Sequence, residues 1–148
     1  MDWSRFATAG DPWIHLWRGT AAGLVDAVPA GKGPLLRWLR GSRMGTRAAL
    51  MDEWAAAAQF PPHFGATWDG LRDCLADLPE GGIFLILDAD QLLQDAPLED
   101  GTTLWAVLAD AAGDLAPRPF HLVLQVEASR HGEWVEALGA LKVAFRQL

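Results

Sequence analysis

Apolar residues along this chain come in short dense blocks separated by Gly- and Pro-rich breaks. Trp13-Ile14-His15-Leu16-Trp17 is bounded by Asp11-Pro12 and Arg18-Gly19 and reads as a buried strand. Ile83-Phe84-Leu85-Ile86-Leu87 follows the turn Pro79-Glu80-Gly81-Gly82 and is apolar at every position, as a central parallel strand covered on both faces would be. Phe120 to Val126 forms a third such block. Three parallel strands are therefore predicted near residues 13–17, 83–87 and 120–126.

Between the blocks the pattern is helical. Thr46 to Gln59 is Ala-rich without internal Gly or Pro, and Phe60-Pro61-Pro62 ends it by forcing extended backbone. Thr67 is an N-cap for a helix from about Trp68 to Leu78. A short helix is expected from Asp88 to Asp95, and another from Thr102 to Leu115, stopped by Pro117 and Pro119. Residues 18–46 are rich in Gly, Pro and Arg, with Pro34 to Arg40 expected as a short helix. From Gly132 to Leu148, Trp134, Leu138, Leu141, Phe145 and Leu148 recur three and four residues apart, which predicts one amphipathic terminal helix. Strands alternating with helices imply an α/β fold, a small three-stranded parallel sheet packed by helices.

Composition narrows the class. The length of 148 residues suits a single domain, and an apolar fraction of 51% with eight Trp can fill its core. The net charge of −7 argues against direct nucleic-acid binding. That charge is uneven: residues 1–47 hold seven Lys/Arg against three Asp/Glu, and residues 48–148 hold five against sixteen. The acidic body would attract cationic partners. A single cysteine, Cys74, precludes an intrachain disulfide and suits a reducing compartment. No signal peptide is evident, and no apolar run is long enough to cross a bilayer. A cytoplasmic monomer with no membrane contact is the expectation.

The segment Trp68 to Leu78 carries the most specific chemistry. At 100° per residue, Trp68, Leu71, Cys74, Leu75 and Leu78 share one arc, and Asp69, Asp73 and Asp77 form a column nearly opposite. Carboxylates four apart repel by roughly 0.2–0.5 kcal/mol per pair. Asp69 recovers some of this at the positive helix end and Asp77 does not. By spacing alone the column fits either a solvated face or a surface selected for a basic partner.

Phe60-Pro61-Pro62-His63-Phe64-Gly65-Ala66-Thr67-Trp68-Asp69-Gly70-Leu71-Arg72-Asp73-Cys74-Leu75-Ala76-Asp77-Leu78, running on through a turn into Ile83–Leu87, resembles the segment that identifies the barstar family. The resemblance implies a non-catalytic antitoxin or immunity protein, without cofactor or metal, that inhibits a basic secreted ribonuclease of the barnase type. It implies that the loop and helix enter the enzyme's cationic active site in place of RNA phosphates. By position, Asp73 would be the principal phosphate mimic, Asp69 its support, and His63 the occupant of an aromatic position that stacks in the cleft. Phe64, Gly65, Thr67, Arg72 and Asp77 complete the implied surface, with Asp110 on a later helix. His63 stands where Tyr is usual, Thr67 where Asn is, and Arg72 where an apolar or acidic residue is common. On this reading the core is about 13–17 plus 46–126, with an insertion over about 18–45 and a C-terminal helical extension over about 129–148.

Other features suit other chemistry less well. Asp88 and Asp90, near Asp95, sit at a strand end where a divalent metal could bind, but they fit a helix cap and first turn better. Cys74 lies on the apolar arc and is expected to be buried rather than nucleophilic. His15 and His121 fall within strands as core or edge residues, and His131 reads as solvent-facing. Lys32, Arg37, Arg40, Arg43 and Arg47, interleaved with Leu35, Leu36, Trp38 and Leu39, form a basic cluster. It is expected as a solvated insertion, or as a docking segment if the chain were instead a non-inhibitory interaction module. The terminal helix is the alternative docking face.

Overall fold

The computed structural model describes residues 3–29 and 36–148. In chain order these form β1 (Ile14–Arg18), α1 (Ala21–Ala27), β2 (Leu36–Arg40), α2 (Arg47–Ala58), α3 (Trp68–Ala76), β3 (Gly82–Leu87), α4 (Leu98–Leu115), β4 (Phe120–Val126), α5 (His131–Ala140) and β5 (Phe145–Gln147), with short 3-10 turns between them. The sheet has five strands in the order β2-β3-β4-β1-β5, all pairs parallel, rather than three. The three expected strands are its three inner ones.

Both additional strands lie at edges. Residues 36–40, expected as a helix, form β2 in register with β3, Leu36 opposite Ile83 and Arg40 opposite Leu87. The rest of that expected helix, Pro34 and Leu35, lies outside the described residues. Leu39 is buried toward α2 while Leu36 packs on the opposite face, so both faces of the strand carry apolar side chains and its two-residue period is masked. The supposed terminal helix is divided: α5 stops at Ala140, Lys142 turns with φ +56°, and the chain re-enters as β5. The gain is backbone pairing for the edge of β1, including Leu148 N donating to the Leu16 carbonyl at 2.9 Å.

Alternation along the strands divides the core into two layers. Ile14, Leu16, Leu39, Phe84, Ile86, Leu122 and Leu124 face α2, α3 and α4 in the larger one. Trp54 of α2 stacks on Phe84 there, ring centroids 4.8 Å apart. Leu85, Ile83 and Val123 point the other way, toward Phe6 and Leu24 of the N-terminal segment and α1. Gln125 is buried on that second face and clamps two connections. Its Oε1 accepts from Asp88 N at 2.7 Å and its Nε2 donates to the Gly19 carbonyl at 2.6 Å.

Asp88 is therefore not the helix cap expected of it. It takes φ +52°, its side chain caps nothing, and only a 3-10 turn, Ala89–Gln91, follows. Gly41 fits against this turn, since a Cβ there would lie 2.0 Å from the Asp88 carbonyl oxygen. Helix α4 starts four residues before Thr102: Glu99 and Asp100 suit its first turn, and the helix runs on through Gly101. Among the described residues no helix is long and apolar enough to cross a membrane.

Candidate partner-binding site

The approach to α3 is built by the end of α2. Gln59 closes α2 in the left-handed conformation, and Phe60 N reaches back to the Ala55 carbonyl at 3.0 Å. Phe60 then meets Phe64 edge to face at 5.0 Å, and Phe64 N donates to the Pro61 carbonyl. Phe64 is thus half-buried against the core, while His63 and Gly65 on either side of it are exposed. The loop turns once more at Ala66, with φ +53°, before Thr67 caps the helix, its Oγ1 accepting from Gly70 N at 3.0 Å. Gly70 permits this packing, because a Cβ there would lie 3.0 Å from Thr67 Oγ1 and 3.3 Å from the Phe64 ring.

Helix α3 is fixed from behind. Leu71, Leu75 and Leu78 are buried as the apolar arc predicts, while Trp68 and Cys74, at the margins of that arc, are only partly covered. Its far end is held by Arg118, whose guanidinium donates to the Leu78 carbonyl at 2.7 Å and to the Ala76 carbonyl at 3.5 Å. That positioning residue carries no signal in the sequence beyond lying between Pro117 and Pro119.

Asp69, Asp73 and Asp77 are all exposed, and Asp110 is exposed on α4, the helix that packs against α3. Asp73 has 69% of its side chain open to solvent, and its carboxylate pairs with Arg72 at 3.5 Å. An open contact at that distance contributes about 0–1 kcal/mol, so a partner can displace it readily. Asp69 and Asp77 have no ion-pair partner among the described residues. The face offers carboxylates whose hydrogen-bonding capacity is almost wholly unused, on a helix that needs no rearrangement to present them.

The other candidate residues are engaged elsewhere. Burial raises the pKa of the Cys74 thiol, and the Asp77 and Asp73 charges raise it further, the reverse of an activated nucleophile. Asp90 spends both oxygens structurally, accepting from Trp134 Nε1 at 2.6 Å and from Glu127 N at 3.0 Å. In the basic cluster Arg37 donates to the Ala57 carbonyl at 3.2 Å, and Arg40 N donates to Glu53 at 2.7 Å, shielding the edge of β2. Arg43 and Arg47 are exposed, and Lys32 lies outside the described residues. His131 bonds to Gln147, tying α5 to β5.

A family model described as Barstar (barnase inhibitor) matches residues 35–127, more than half of the chain. The match opens at β2 and closes after β4, so β1, α1, α5 and β5 lie outside it. No curated protein gives a match.

Proposed function

The chain belongs to the barstar family, and we propose that it binds a basic ribonuclease of the barnase type and blocks the enzyme's active site with residues 60–77. The observation that carries this reading is the column Asp69, Asp73 and Asp77, exposed on a helix capped at one end by Thr67 and held at the other by Arg118. Carboxylates so presented can take bidentate hydrogen bonds from the guanidinium groups that would otherwise hold RNA phosphates. Asp73 is the central mimic and Asp69 supports it. His63 lays an imidazole where it can stack in the cleft, and Asp110 adds charge at the rim. Gly65, Phe64 and Thr67 shape the loop. The acidic surface also accelerates encounter with a cationic enzyme. Inhibition here is occlusion, and requires no cofactor and no chemistry from this chain.

The test is the dissociation constant for a barnase-type ribonuclease, measured by calorimetry for the wild type and for Asp73→Ala. Removing Asp73 leaves a buried cation of the enzyme unpaired, at a cost of roughly 3–5 kcal/mol, more than a hundredfold in affinity. An unchanged constant would remove Asp73 from this role.

A further inference from the structure

The corner where β2 runs into α2 carries charge that the proposed function does not use. Residues 36–47 hold Arg37, Arg40, Arg43 and Arg47 and no Asp or Glu. Arg40, Arg43 and Arg47 are exposed, and none has an ion-pair partner among the described residues. Three acids approach the corner without reaching ion-pair distance of these guanidinium groups. They are Glu53, which accepts from Arg40 N, Asp88, whose carbonyl packs on Gly41, and Asp95, beside Gly45. Trp38, 37% exposed, lies on the same face of β2 as Arg40. Arg and Trp are the residue types that most often anchor protein interfaces.

The corner and the acidic column are each unfavourable when alone. Arg47 opens α2, whose first turn holds no acid, so its cation faces the positive end of the helix. On α3 the fault is reversed: Asp69, Asp73 and Asp77 repel along one column, and Asp77 lies at the negative end. Each surface carries the charge that the other lacks. They do not meet within one chain, since no ion pair joins them among the described residues.

We propose that the arginine corner of one copy binds the α3 carboxylates of a second copy. The guanidinium groups of Arg40, Arg43 and Arg47 suit paired hydrogen bonds to Asp69, Asp73 and Asp77, with Trp38 beside them as an apolar contact. Because the two patches differ, the contact is head-to-tail, and copies add into a ring or an open chain rather than a two-fold dimer. The net charge of −7 on each copy opposes their approach, but it is screened beyond about 8 Å at physiological ionic strength, so the pairs in contact decide. The assembly also covers Asp73, so that a second copy and a basic ribonuclease compete for α3. That consequence, unlike the contact itself, rests on the function proposed above.

The experiment is sedimentation velocity of the full chain at physiological ionic strength, at rising concentration up to about 1 mM. The wild type is expected to sediment faster as its concentration rises. Arg43→Glu with Arg47→Glu, and separately Asp73→Lys with Asp77→Lys, should each weaken self-association at least about tenfold. Arg47→Glu and Asp77→Lys place the charge that each helix end favours, and circular dichroism checks that both double variants fold. An equimolar mixture of the two should associate again, because each then meets opposite charge at both patches, whereas damage to the fold is not repaired by mixing. A wild type that stays monomeric throughout, self-association untouched by either double variant, or a mixture that stays monomeric overturns the proposal. So does association lost on reversing the corner but kept on reversing α3, which would put a different acidic face in the corner. Ribonuclease inhibition is read separately, from RNA cleavage with dilute protein, so the failure of one reading is distinct from the failure of the other.

Discussion

Acidification should destabilise this protein well above the pH at which its carboxylates protonate, and His15 is the reason. Its pKa is lowered from 6.5 to about 3, first by burial, then by the charges of His121, Arg146 and Arg5. A histidine with a depressed native pKa takes up its proton in the unfolded chain before it can do so in the folded one. Its contribution is therefore fully present above the unfolded pKa of 6.5 and is lost as the pH falls toward 3. The whole interval corresponds to on the order of 5 kcal/mol at 1.36 kcal/mol per unit, and about 2 kcal/mol of that is gone by pH 5. Domains are stable by only about 5–15 kcal/mol, so the loss is easily measured. The assay is urea unfolding followed by tryptophan fluorescence at pH 8, 6 and 5 for the wild type and His15→Gln. The variant keeps an amide donor for His121 Nδ1, which lies 3.0 Å from His15 Nε2, and does not titrate, so its stability should fall about 2 kcal/mol less between pH 8 and 5. Parallel profiles, or a His15 ring titrating near 6.5 in the folded protein, would refute the reasoning.

Three further outcomes follow from the packing. Gly41→Ala forces a Cβ into the Asp88 carbonyl, 2.0 Å away, and should cost about 1–3 kcal/mol or more in chemical unfolding. Arg118→Ala removes the donors to the Leu78 and Ala76 carbonyls and should cost about 1–3 kcal/mol, with faster amide exchange at the end of α3. Arg72→Ala frees Asp73 from a contact of 3.5 Å, so stability should change by no more than about 0.5 kcal/mol while association with a basic ribonuclease quickens, most clearly at low salt.

The three inner strands were legible because each is a dense apolar run bounded on at least one side by Gly or Pro, broken by His15 in β1 and by His121 and Gln125 in β4. The edges were not. Leu36, Trp38 and Leu39 fit a helical spacing as well as an edge strand with apolar residues on both faces, and β5, Phe145–Gln147, is too short to show any period. Phe145 and Leu148 extended the stripe begun by Trp134 and Leu138, which disguised the turn at Lys142. The acidic column on α3 was open to arithmetic, since a helix with a definite cap fixes where each side chain points. Arg118 acts across 40 residues and the His15–His121 pair across 106, distances at which sequence offers only the oddity of a polar residue in an apolar strand.

The most direct test of the central claim is the RNA-cleaving activity of a barnase-type ribonuclease titrated with this protein and, in parallel, with Asp73→Ala. The account predicts a stoichiometric fall to zero with the wild type and a curve shifted more than a hundredfold for the variant. Full activity in the presence of excess wild-type protein, or equal inhibition by the variant, would contradict it.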